Sequence, residues 1–337
     1  MDITGIDRPF SLAVREELKE KYRLERRQIA LCSSHTHSGP VTSDRFTFVF
    51  GLDEGFHQRR LDFLTLLHEK IVTVVGKALQ RLAPCELASG NGSATFACNR
   101  RNNGELEVVR LREEGNLRGP VDFDVPVLSV RSEDDKLLAV VFGYACHGTT
   151  LGPSNLKWSG DYAGHAQLLL EQAYPGCTAL YWAGCGGDQN PGPRREQKHV
   201  ESHGHELSET VQTVLKKTMR TIVGPLATSY EEIELPFAEL PTRKQLEEEA
   251  ASGQGGMARR ARFILHRIDN GHTLEPTYPY PVQVWRLGRD LLFVTLGGEA
   301  VVDYALRLKQ ELGAGRTWIA SYANDVMAYI ANQRVLR

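Results

Sequence analysis

Apolar positions recur along this chain with two periods, and the alternation between the periods sets the expected fold class. From Phe10 to Tyr22, the residues Phe10, Val14 and Leu18 repeat at helical spacing among charges, which predicts an amphipathic surface helix. Leu61 to Leu82 repeats the pattern over a longer stretch, with Leu64, Leu67, Ile71, Val74 and Val75 on the apolar side. Helical patterns also cover Ala163 to Ala173, His203 to Met219, Lys244 to Ala251 and Ala300 to Leu312, the last closed by Gly313. Between them lie shorter apolar, β-branched runs. Gln28 to Cys32 and Thr178 to Ala183 read as buried strands. Val125–Val130 with Leu137–Tyr144, and Val282–Leu287 with Leu291–Leu296, read as two hairpins, and Thr317 to Ser321 starts a further strand.

Strands alternate with helices, yet hairpins are present. That combination predicts an α/β fold with a layered, mixed β-sheet core flanked by helices. No linker-like boundary interrupts the chain, so a single domain over residues 1–337 is expected. Of the 337 residues 41% are hydrophobic and 24% charged, an ordinary globular composition. A formal net charge of -2 points away from a nucleic-acid binder. No apolar run approaches the roughly 20 residues of a membrane span. The first residues lack the basic start and apolar core of a signal peptide. Six cysteines are present, none in a Cys-x-x-Cys pair. Cys32 and Cys146 sit in apolar runs, where a thiol behaves as a small hydrophobe, and the count leaves room for one or two disulfides.

The candidate chemistry gathers where buried runs stop. Ser33-Ser34-His35-Thr36-His37-Ser38-Gly39-Pro40 follows the first predicted strand, and an extended backbone would turn both imidazoles to one face. His147 ends the run Leu137 to Cys146, and Glu299 follows Leu291–Leu296 after two glycines. Two histidines and a carboxylate are the ligand types that hold a catalytic zinc with one position open. Each has a plain alternative: a packed strand-end histidine, a carboxylate favoured by a helix dipole, an Asp161 helix cap, a core Tyr329. A rival run, His199, His203 and His205, lacks the His-Glu-x-x-His order and is strongly polar, which predicts an exposed surface.

In order along the chain, these segments resemble the neutral/alkaline (non-lysosomal) ceramidases. Ser34 to Pro40 is similar to the family's first metal motif, and Cys98-Asn99-Arg100 to its Asn-Arg segment. Ala145-Cys146-His147 with Ser159-Gly160-Asp161 resembles the second histidine and the Ser-Asp after it. Gly187-Asp188-Gln189-Asn190-Pro191 resembles a Gly-Asp-x-Ser-Pro loop, and Gly298-Glu299 the Gly-Glu. Tyr322-Ala323-Asn324 through Tyr329-Ile330 resembles the last catalytic segment, so the likeness runs from about residue 28 to 332.

The resemblance implies a zinc ion held by His35, His147, Glu299 and Tyr329, with His37 and Arg100 near the polar part of the substrate. It implies hydrolysis of the N-acyl amide bond of ceramide-like lipids to a fatty acid and a sphingoid base, and a secreted or membrane-facing setting. It also implies further chain beyond both ends, usually a β-sandwich domain after the point matching Arg337. Asn190 departs from the family's serine. It cannot act as an alkoxide nucleophile, but its amide can still donate to an oxyanion, so it stays among the expected catalytic residues. That departure leaves two other readings open: a zinc hydrolase of another N-acyl amide, and a catalytically silent binding relative. Phe46, Phe48, Val49, Phe50 and Phe56 form a candidate lipid-facing loop, or equally ordinary core; a lipid amide substrate and contact with a membrane surface follow only from the first reading.

Overall fold

The structure, a computed structural model, describes residues 1–44 and 50–337. Its core is two stacked β-sheets. The first has the order β5-β4-β3-β1-β7, from β1 (Glu86–Ser93), β3 (Asp124–Arg131), β4 (Leu137–Tyr144), β5 (Thr178–Ala183) and β7 (Arg220–Ile222). The second runs β12-β10-β9-β8, from β8 (Leu226–Pro236), β9 (Thr277–Leu287), β10 (Leu291–Leu296) and β12 (Thr317–Ala320). Each sheet is antiparallel except for one parallel pair, β4 with β5 and β10 with β12. Both predicted hairpins are present, with Val127 opposite Phe142 and Val294 opposite Val284.

Alternation along the strands explains the stacking. On β4, Val140 and Phe142 face outward onto α4 (Asp161–Ala173) and α5 (Gln197–Leu215), joining Leu170, Leu207 and Val211. Val141, between them, faces the other sheet. On β10 and β12, Phe293 and Trp318 turn inward, while Val294 and Ile319 turn outward onto α8 (Val302–Leu312). The inner seam is aromatic: Trp182 packs edge-on to Phe293 at 4.0 Å, and Phe293 meets Trp318 at 4.9 Å. Period-two side chains thus build four layers, helix, sheet, sheet, helix. The expected mixed α/β class is what the structure shows, with several sheets flanked by helices. A smaller apolar cluster joins α1 (Arg8–Tyr22) to α2 (Glu54–Gln80) through Val14, Leu18, Ile71 and Val72, with Ile29 and Leu31 filling it.

Several expectations shift. Gln28–Cys32 forms no sheet strand. Ile29 and Leu31 are buried, but the segment makes a single bridge, Cys32 to Ala323. Its apolar character serves the α1–α2 cluster instead of a ladder. The long helix begins at Glu54, capped by Asp53, which accepts from Phe56 N at 2.7 Å. Asp161 is the first residue of its helix and not the cap: its carboxylate accepts from Leu151 N at 3.1 Å and Tyr162 N at 2.8 Å. All six cysteines are free thiols.

A tyrosine network ties down the end of β4. The Tyr162 hydroxyl donates to Cys146 O at 2.6 Å, and the Tyr181 hydroxyl donates to Tyr144 O at 2.9 Å. Both rings are buried. Tyr162→Phe leaves a buried carbonyl unpaired immediately before His147. It should lower stability by about 1–3 kcal/mol, read as a drop in the urea midpoint at unchanged slope.

Candidate metal centre

Loops from different elements converge beyond the ends of the strands. His35 lies after the Cys32 bridge, with φ of 59°, in the left-handed region that a non-glycine residue seldom adopts. The extended backbone expected there is absent. The imidazoles of His35 and His37 still meet, with their Nε2 atoms 3.2 Å apart. His147 follows β4. Glu299 sits in the short strand β11 (Glu299–Ala300), which pairs in parallel with β13 (Tyr329–Ile330) so that Glu299 lies beside Tyr329. Two glycines permit the close approach. A Cβ on Gly148 would lie 2.8 Å from Thr36 Cα, and one on Gly187 would lie 2.5 Å from Glu299 O.

Among the described residues, ligand atoms of His35, His37 and His147 all lie within 4.8 Å of one another. Glu299 Oε2 comes 3.5 Å from His35 Nε2 and 3.3 Å from His147 Nε2. The second ring nitrogens decide what this means. His35 Nδ1 is 2.5 Å from Thr4 O, and His147 Nδ1 is 2.5 Å from Gly186 O. A carbonyl can only accept, so each Nδ1 carries the proton and each Nε2 presents a lone pair. Both residues are buried. Burial pushes the His147 imidazole down to about 4, and it pushes His37 down to about 3 with help from the neighbouring rings. Burial alone would raise the Glu299 carboxyl, but its contacts with His147 and His35 outweigh that and hold it well below the ordinary range.

Lone pairs of imidazole nitrogens and a carboxylate oxygen therefore face one another in a site that is buried at His35 and His147 and opens to solvent at His37. That arrangement is unfavourable alone and favourable around a cation, and carbonyl-anchored histidines are the usual support of a metal ligand. The residues present fit a divalent transition metal with nitrogen and oxygen ligands.

The other expected residues are placed as follows. Tyr329 Oη accepts from Arg101 Nε at 3.3 Å, and the Arg100 and Arg101 guanidinium groups lie 5.8 and 4.9 Å from its ring centre. Arg100 donates to Gly187 O at 2.6 Å. Asn190, in β6 (Gln189–Pro191) paired with β2 (Ala97–Asn99), lines a cleft of about 560 Å³ together with Arg100. Contrary to the exposure expected for the rival run, His203 is buried, because its ring stacks on Phe96 at 4.5 Å and bonds to Pro193 O. Phe46, Phe48 and Val49 lie outside the described residues; Phe50 is 65% exposed.

Three contributors were given no role from the sequence, although Tyr322 and Asp188 lie inside segments that carry the family resemblance. Tyr322, also in the left-handed region, stacks on His35 at 4.1 Å and is fully buried. Asp188 is buried and gathers Asn99, Gln189, Val302 N and Arg334, fastening the Gly-rich loop to the start of α8. Arg194 reaches back to Thr149 and Glu105. It follows the Gly-rich loop in a Gly-Pro-Arg-Arg run, which looks like ordinary surface loop.

Residues 1–183 match the family model described as neutral/alkaline non-lysosomal ceramidase, N-terminal, and the chain belongs to that family. Neutral ceramidase B of Dictyostelium discoideum is 24% identical over 148 residues, 44% of this chain and 20% of that protein. Neutral ceramidase 1 of Arabidopsis thaliana is 25% identical over 203 residues, 59% of this chain and 26% of that protein. The matched stretch thus spans about a fifth to a quarter of these relatives. The fold is similar to that of a solved ceramidase complexed with C2 and to neutral ceramidase from Pseudomonas aeruginosa. Each has a TM-score of 0.71 at 19% identity, covering 98% of this chain and 60% of the other.

The depressed His147 value sets a pH dependence for the metal-free protein. An unfolded histidine titrates near 6.5, so between about 6.5 and 4 the unfolded chain binds the extra proton. The His147 contribution is complete above that window and is lost as pH falls through it. Chelator-treated protein should lose roughly 2 kcal/mol between pH 7 and pH 4.5 on this account. His147→Gln should flatten that part of the profile, measured by urea unfolding at each pH.

Proposed function

We propose that this chain is the catalytic part of a zinc-dependent amidohydrolase that cleaves the N-acyl amide bond of a lipid-like substrate into a fatty acid and an amine. The observation that carries the reading is the convergence of imidazole lone pairs on Glu299, inside a ceramidase-family fold. His35, His147 and Glu299 would hold the ion, with Tyr329 as fourth donor from its register beside Glu299. Zinc at such a site supplies Lewis acidity and lowers the pKa of a bound water toward neutrality.

The chain's own groups divide the remaining work. His37 is the exposed member of the trio, and among the described residues no carbonyl fixes its Nδ1. Held neutral by its surroundings, it is placed to hydrogen-bond the polar part of the substrate. Arg100 has one guanidinium nitrogen on Gly187 O, which leaves further N–H donors for the substrate's polar part. Asn190 offers an amide N–H toward a developing oxyanion. Position 190 cannot supply a nucleophile, which favours direct attack by water over a covalent acyl intermediate.

Metal analysis tests this directly. Purified protein should carry about one zinc per chain, and the His35→Ala/His147→Ala double variant should carry none. Chelation should abolish hydrolysis of an N-acyl sphingosine or a shorter N-acyl amide, and added zinc should restore it. Asn190→Ala should reduce kcat by roughly 10²-fold with KM little changed. A folded wild type without zinc would leave the silent binding relative as the better account.

A further inference from the structure

The cleft beside the metal centre is charged in a way that amide hydrolysis alone does not need. It holds about 560 Å³; Arg100, Asn190, Arg194 and Arg195 form one wall, Leu106, Val108 and Val109 line it elsewhere, and Glu105 is the sole acidic lining residue among the described residues. Glu105 pairs with both neighbours: Arg195 donates to it at 2.5 and 2.8 Å, and Arg194 donates to its other face. Those two guanidinium groups hold the Glu105 carboxyl down at about 2. One carboxylate therefore serves two cations, and among the described residues none is in ion-pair contact with Arg100, whose bond is to Gly187 O.

The Arg194 side chain is only 13% exposed. It runs from Glu105 to the wall of the cleft, where it donates to Thr149 Oγ1 at 3.4 Å. A guanidinium has no acceptor, so the Asn190 amide turns its oxygen toward Arg194, at 3.2 and 3.3 Å, and its nitrogen toward Thr149 at 3.3 Å. A largely buried, pre-oriented guanidinium next to a second one with spare donors is the arrangement that selects carboxylate and phosphate oxygens. A hydrocarbon chain placed there would desolvate those charges without compensation. The arginine wall therefore disfavours the acyl half of a fatty amide and favours a polar amine half.

We infer that the Arg100–Arg194 cleft binds an anionic oxygen group, carboxylate or phosphate, carried on the amine half of the substrate, so that the preferred substrate class is an acidic N-acyl amide and not a neutral one. The inference rests on the amidase reading above and sharpens it.

Three dodecanoyl amides with the same acyl chain test it: those of glycine, phosphoethanolamine and ethanolamine. Zinc-loaded wild type should turn over at least one of the two acidic amides with kcat/KM about tenfold or more above the neutral ethanolamide. The better of the two identifies the anion. Arg194→Met should bring the acidic-to-neutral ratio toward one, while Arg195 still pairs with Glu105. Glu105→Gln, which removes the counter-charge, should raise the ratio. A neutral amide turned over equally well, or a ratio unmoved by Arg194→Met in protein with a wild-type circular dichroism spectrum, overturns the inference. If no amide is hydrolysed, the amidase reading fails and calorimetric titration with dodecanoyl glycine and dodecanoyl ethanolamide decides the cleft. Tighter binding of the glycine conjugate, lost in Arg194→Met, supports the cleft; equal binding overturns it.

Discussion

The stacking of Trp182, Phe293 and Trp318 between the two sheets is the constraint from which the site follows. Each sheet contributes one parallel pair, and the loops of the site leave from the carboxyl ends of those four strands. His147 follows β4, the Gly186–Asn190 loop follows β5, Glu299 follows β10, and Tyr322 follows β12. A slip between the sheets would part His147 from Glu299, because they belong to different layers. The seam is pinned at the site end as well, where Ser321 N donates to Ala183 O at 2.8 Å across the sheets. Close packing of this kind does not deform continuously, so the ring of ligand atoms inherits its rigidity from the aromatic seam.

At the centre, the structure tolerates features that would be costly elsewhere. His35 and Tyr322 both hold left-handed backbone and stack on each other. Ser33 N and Oγ donate to Tyr322 O, while Thr4 O accepts a hydrogen bond from His35 Nδ1. Backbone strain survives where neighbouring bonds over-determine it, and such strain gathers at functional sites. Together with the opposed lone pairs of His35, His147 and Glu299, it marks this as the candidate site of the fold.

The elements that could be read from the sequence are those whose side chains bury on one regular face. Both hairpins, α1 and the helices on the outer faces announce themselves through Val, Leu, Ile and Phe at the right spacing. β1 does not: Glu86-Leu-Ala-Ser-Gly-Asn-Gly-Ser93 has no regular apolar face, yet it pairs over its whole length with β3. β8 alternates charges with apolar residues at a half-exposed edge and was equally silent, as was α7 (Gly256–Asp269), whose arginines mask its apolar stripe. In the site, His35, His37, His147 and Glu299 were legible because each ends a strong run or sits in a compact motif. That their atoms lie within reach of one another was not, since it depends on a seam built from residues more than a hundred positions apart. The first expectation about His35 reached the correct meeting of imidazoles from the wrong backbone conformation.

Asn190 and Arg194 are best understood together. A mostly buried guanidinium must find acceptors in several directions at once. Glu105 covers one side of Arg194 and Thr149 another. A third side falls on residue 190, where an amide oxygen with two lone pairs, backed by an N–H that engages Thr149, accepts from it without adding charge and leaves the Arg194 Nε–H open among the described residues. A serine hydroxyl has a shorter reach, and its lone proton could not serve both Thr149 and a substrate. The residue type at 190 is thus dictated by the cation behind it. Glu105, shared between two arginines and held ionised, orients those guanidinium groups while leaving the cleft positive. Such pre-ordering lowers the cost of fixing flexible side chains when an anion arrives. The same wall that removes the nucleophile from position 190 thereby supplies the recognition that a neutral polar wall would lack.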